Sequence, residues 1–137
     1  MNPDTRNEVM TELKDSDNKD VAKFNKDYSD FIELQNVALA PLKDSTATYN
    51  EALLARLNTE SIPAWQHAAA IVGTMKTYDL PARLKNKIPI IDQYVSARQN
   101  EINIVEQIIR SNKTEDFNRL DRERQSINQL VEKLQGK

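Results

Sequence analysis

The stretch IIDQYVSARQNEINIVEQIIRSNKTEDFNRLDRERQSINQLVEKLQ, residues 90–135, decides the fold. Ile91, Val95, Arg98, Ile102, Val105 and Ile109 recur at alternating steps of four and three, and Phe117, Leu120, Arg124, Ile127, Val131 and Leu134 repeat the pattern downstream. Side chains three or four apart lie one above another on a helix, so each set is a seam that a partner helix must cover. Between the seams stands SNKT, residues 111–114, with Thr114 read as a helix cap and Glu115 and Asp116 suiting the positive end of the next helix. A connection this short forces an antiparallel hairpin. Folding the chain about Asn112 and Lys113 then sets Arg124 opposite Glu101 and Arg119 opposite Glu106.

Upstream the same spacing returns. Val21, Phe24, Tyr28, Phe31, Gln35, Ala38 and Leu42 form a third seam. Pro41 falls on it, and because its ring removes a donor and crowds the preceding turn, a kink or an end is expected near residues 37–40. The arm resumes at TYNE, residues 48–51, where Thr48 reads as the cap and Glu51 as its reciprocal partner. Ser61 reads as the cap of a further helix with Pro63 in its first turn, closing near TYDLP, residues 77–81. The next begins around residues 80–89, with Pro89 marking a kink or restart. Before all of these, DTRNEVMTELKD, residues 4–15, offers a short helix with little apolar surface, followed by the polar break DSDNKD.

Composition narrows the chemistry. The chain has 137 residues, two glycines, no cysteine and a formal charge of −2. Phosphate-cradling loops and dinucleotide turns need positions of positive φ, which two glycines do not supply. Without cysteine there is no disulfide, thiol nucleophile or cysteine-based metal site. Interleaved charges leave no basic footprint for nucleic acid, and no window of the sequence is apolar enough to insert in a membrane.

The only Trp and the only His lie in SIPAWQHAAAIVG, residues 61–73. Successive helical residues turn by about 100°, so Trp65 and His67 diverge by about 200° and do not converge on one substrate. Trp65 is read as a core anchor on a face with Ala69 and Val72, and Ala69 with Gly73 as a smooth strip for close helix approach. His67 is read as a surface or half-buried structural residue: no Glu stands three positions before it, and no second His exists for a zinc pair. DSDNKD lacks the glycine and the closing glutamate of a calcium loop, since Asp20 and Lys26 occupy those places. Neither a metal nor a cofactor is expected. Arg98 and Arg124 interrupt apolar seams, and a guanidinium there needs a carboxylate or a route to water. With Glu101 they form either a register-fixing cluster or an anion or peptide site.

Across residues 33–98 the order Glu33, Ala38-Leu39, Leu53-Leu54, Ser61-Ile62-x-x-Trp65, Leu80-Pro81 and Ile91-x-x-Tyr94-x-x-x-Arg98 resembles the soluble helical region appended to some rhomboid-family intramembrane serine proteases. The resemblance implies an accessory domain tethered to a membrane protease. It transfers no active-site residue, because Gly73-Thr74-Met75 departs from the family's Gly-x-Ser and the membrane His has no counterpart.

The expected architecture is all-α: an antiparallel bundle of four main helices over residues 19–135, preceded by a short helix and polar break over residues 1–18. The expected role is a non-catalytic interaction or accessory module whose partner is a protein or a parent membrane domain. The alternative is a small-ligand-binding bundle using Arg98, Arg124 and Glu101.

Overall fold

The computed structural model describes residues 19–44, 49–111 and 113–136. The short helix expected within residues 1–18 and the Thr48 cap lie outside them. Helix α1 spans Lys19–Asp44. Its seam is largely the expected one, with Val21, Phe24, Phe31 and Ala38 buried and Tyr28 and Leu42 packed at the margin. Of the two outcomes expected at Pro41, an end or a kink, the helix does not end there but continues through it to Asp44. The proline ring is fully buried, and one turn back the Ser61 hydroxyl donates to the Ala38 carbonyl at 2.6 Å. Burial of the ring offsets the lost backbone bond, and the Ser61 bond ties this turn to the return arm.

The return arm runs without interruption from Glu51 to Met75. Helix α2, Glu51–Arg56, is capped by Asn50, whose side-chain oxygen accepts from the Leu53 N–H at 3.0 Å. A single π turn, Leu57–Ser61, then leads into α3, Ile62–Met75. Ser61 is therefore not a cap; it has helical dihedrals, φ −75° and ψ −49°, and makes no side-chain cap bond. The wider turn has a local cause. Pro63 would drive its ring into the Thr59 carbonyl of a regular helix, and a π turn, in which the Ile62 N–H reaches the Leu57 carbonyl, relaxes that crowding.

A single turn, α4, Ala82–Lys85, precedes α5, Ile88–Ser111, which restarts beside Pro89 as expected. Helix α6 covers Thr114–Leu134. Thr114 is its first helical residue, not its cap: Lys113 is the extended flanking residue and supplies no side-chain cap bond.

Cross-helix pairs define an up-and-down bundle. Asp20, Asp27 and Ala38 of the first helix meet Asp79, Tyr78 and Ser61 in reverse order. Lys76 meets Asp92, and Asn100 and Glu101 meet Glu123 and Arg124. The protein is an all-α bundle of four main helices, α1, α3, α5 and α6.

Helix α5 is buried on two stripes, where the sequence offers one seam. Ile91, Val95, Ile102 and Val105 face one neighbour set, and Ile88, Tyr94, Glu101, Ile104 and Ile108 are buried as well. Each fully buried isoleucine contributes roughly 1.5–3 kcal/mol relative to exposure. Helix α6, at the periphery, buries only Asp116, Leu120 and Ile127. Phe117, placed on its seam by spacing, is 40% exposed, because the outer helix has a neighbour on one side only. In α3 the close-packed strip is Ala64, Ala68 and Val72 beside Trp65. Ala69 is half-buried and Gly73 is exposed with open space around it, so the small-residue strip lies one residue away from the predicted one.

Candidate functional site

The α5–α6 hairpin brings together all three residues singled out in the sequence. Glu101, only 2% exposed, receives Arg98 Nη1 on Oε1 at 3.0 Å and Arg124 Nε on Oε2 at 3.0 Å. Arg98 lies one turn before Glu101 on α5, and Arg124 arrives from α6 because the short loop fixes the hairpin register. The companion pair does not form. Arg119 donates to Gln107 at 3.0 Å and pairs with Asp116 at 3.3 Å, while Glu106 is held by Arg110 on its own helix at 2.8 Å. An i,i+3 or i,i+4 partner on the same helix needs no exact interhelical offset, which explains why the local pairs win.

The cluster extends further than the sequence shows. Arg98 Nε donates to the Tyr94 hydroxyl at 3.2 Å, and that hydroxyl donates in turn to Gln35 Oε1 of α1. The Arg98 guanidinium lies over the Tyr94 ring, 5.4 Å from its centroid. On the other side Arg124 Nη2 donates to the Tyr49 hydroxyl at 3.3 Å, and Tyr49 stacks on Phe117. Gln35, Tyr94, Arg98, Glu101, Arg124 and Tyr49 form one chain of polar contacts from α1 through the centre to α6. Two clues were legible: Gln35 interrupts an apolar seam, and Tyr94 stands four residues before Arg98. Tyr49 carries no such signal, since only the tertiary fold brings it to Arg124.

Electrostatics favour a permanently charged clasp. Burial works against the charged form of Arg98, but the Glu101 carboxylate and the bond with Tyr94 outweigh it, leaving its pKa above the ordinary arginine value. Arg124 is likewise raised, burial being outweighed by its bonds to Glu101 and Tyr49. Both oxygens of Glu101 are occupied, and each guanidinium already spans two acceptors. Such a cluster fixes register; each guanidinium keeps N–H donors beyond these bonds, and two cations around one carboxylate leave a net positive charge.

Trp65 is 1% exposed and meets Tyr94 edge-on at 5.9 Å between centroids, in the core as predicted. His67 is exposed and lines an open groove of about 300 Å³ with Ile71 on α3 and Asp30, Glu33, Leu34 and Val37 on α1. A larger recess of about 490 Å³ lies among Lys76, Tyr78, Lys85, Ile88, Pro89 and Asp92, with Lys76 already paired to Asp92 at 2.8 Å. A third, of about 210 Å³, sits on the outer face of the hairpin around Asn100, Arg119 and Glu123. Neither Arg98 nor Arg124 lines any of these three.

Asp15, Asp17 and Asn18 of the polar break lie outside the described residues. Asp20, at its end, accepts from the Asp79 N–H at 2.7 Å. Among the described residues no group of three or more His, Asp or Glu could hold a metal ion, and no helix is long and apolar enough to cross a membrane. No family model matches the chain, and neither a curated protein nor a solved structure matches it.

Proposed function

We propose that this chain is a non-catalytic helical recognition module that serves as the soluble appendage of a rhomboid-like membrane protease. The observation that carries the recognition role is the contrast between a satisfied interior and an open surface. The buried Glu101 carboxylate is taken by Arg98 and Arg124, whereas an apolar and acidic groove between α1 and α3 faces solvent. A reaction centre needs groups that converge on a substrate, and none of Arg98, Glu101 and Arg124 lines any of the three surface recesses. The same placement, away from these three recesses, weighs against the ligand-binding alternative at Arg98 and Arg124. Support for the tether comes from the order of apolar, proline and arginine positions across residues 33–98.

The test is genetic and then functional. The native transcript is expected to carry, in frame with this chain, several apolar spans of about twenty residues, with a Gly-x-Ser sequence and a membrane His among them. Excising residues 20–135 from that parent is expected to change its substrate choice, assembly or stability while its intramembrane catalytic residues stay intact. A reading frame bounded by Met1 and Lys137 overturns the tether. An excised parent that behaves as the whole protein does overturns the recognition role.

A further inference from the structure

We infer that the α1–α3 groove is a docking site for a basic amphipathic helix, an inference that rests on the recognition reading and names the partner's chemistry. The floor is apolar. Val37 is 51% exposed, and it lines the groove with the half-buried Leu34 and Ile71. Single exposed apolar side chains are ordinary, but three that line one groove make a strip that water covers poorly. The groove is open and elongated along two helices. That shape suits a row of side chains at helical spacing better than a small molecule, which needs enclosure.

The rim is acidic along one edge. Asp30, Glu33 and Val37 follow one another at three-and-four spacing on α1. Asp30 is bridged only loosely by Lys26, at 3.5 Å, and Glu33 has no ion pair among the described residues. The facing wall of α3 contributes His67 and Ile71 and no lysine or arginine. Two carboxylates therefore border an apolar strip. The complement is a helix with aliphatic residues on one stripe and Lys or Arg at its flank, with the apolar stripe on Leu34, Val37 and Ile71 and the cations toward Asp30 and Glu33.

The experiment uses the whole chain and two fluorescein-labelled probes, a Leu/Lys amphipathic helix of about 15 residues and its Leu/Glu counterpart, read by anisotropy. The Leu/Lys probe is expected to bind about tenfold or more tightly than the Leu/Glu probe, with the difference shrinking as salt rises. Val37→Asn and Glu33→Lys should each weaken the Leu/Lys probe by about tenfold or somewhat less. Asp121→Lys, on exposed α6, should leave binding unchanged. All of these positions are exposed, and circular dichroism melts confirm that each variant is folded. Equal binding of the two probes overturns the proposal, as does an Asp121→Lys effect as large as that of Glu33→Lys, because the attraction would then not be local. A dimer in sedimentation velocity that Val37→Asn dissolves overturns it in favour of a second copy of this chain. Failure of the probes while excision of residues 20–135 still alters the parent removes the groove alone and leaves the recognition role standing.

Discussion

The α1–α3 pair and the α5–α6 pair are both antiparallel, yet they are joined by different means. Between α5 and α6 the decisive contact is a buried carboxylate shared by two arginines. Between α1 and α3 the links are a hydroxyl to a backbone carbonyl, Ser61 to Ala38, and a phenol to a carboxylate at the margin, Tyr78 to Asp27. A buried ion cluster tolerates no slip, because moving either helix by one residue strands a charge away from water. A hydroxyl bonded to a backbone carbonyl and a marginal phenol are less exacting. The recess between the first pair is small and polar, about 210 Å³ around Asn100, Arg119 and Glu123, whereas the second pair leaves an open groove of about 300 Å³ with apolar Leu34, Val37 and Ile71 in its lining. Register is thus enforced most strictly at one side of the bundle, and the apolar groove is left at the other.

Four perturbations test that contrast. The largest effect is expected at Trp65, which sits where the two pairs meet and packs edge-on against Tyr94. Trp65→Ala should destabilise the protein by about 3–5 kcal/mol, the range for buried aromatic truncation. Urea melts measure it, and an unchanged midpoint would show that the two pairs hold together without their central anchor.

Next comes Glu101. Glu101→Ala removes the shared acceptor and leaves Arg98, 18% exposed, beside the core with no countercharge. The expected loss is about 3 kcal/mol, the lower end for breaking a buried ion pair, since Arg124 is 40% exposed and can turn to water. A double-mutant cycle of Glu101→Gln with Arg124→Met should show a coupling of about 1 kcal/mol, discounted for that exposure. Strict additivity would mean that the hairpin register is set by apolar contacts alone.

Gly73→Ala tests the other pair with the opposite sign. A Cβ at Gly73 meets nothing within 4 Å, and the residue lies on an exposed face of α3, so the substitution should stabilise by about 0.5–1 kcal/mol through helix propensity. A thermal melt with a lowered midpoint would place a close neighbour at that face after all.

The smallest effect is expected from pH. The bond to Asp27, and secondarily burial, raise the Tyr78 pKa from 10.0 to about 12. A group whose pKa is raised on folding stabilises the fold fully below its unfolded value and loses that contribution as pH rises toward the folded one. The α1–α3 link should therefore weaken between about pH 10 and pH 12. Urea midpoints followed through that window should fall more for the wild type than for Tyr78→Phe, and parallel curves would show that the link contributes nothing.

The sequence by itself determined the fold class, the number of main helices and the meeting of Glu101 with Arg124. Those follow from apolar spacing and from a loop too short to allow any other turn, both local properties of the chain. Residues whose environment depends on how many neighbours a helix has were not legible. Phe117 sits on a correct seam and is exposed because α6 is peripheral, while Tyr94, Ile104 and Ile108 lie off the predicted seam and are buried because α5 is central. Ser61 reads as a cap from its local context, but the π turn forced beside Pro63 carries the helix through it and aims its hydroxyl at Ala38. The groove belongs to the same class. Asp30, Glu33, Val37 and His67 look like an ordinary solvated face along the chain, and only the packing of α1 beside α3 makes them one surface. Periodicity records which residues of a helix share a face; which of its faces find a partner is decided when the helices assemble.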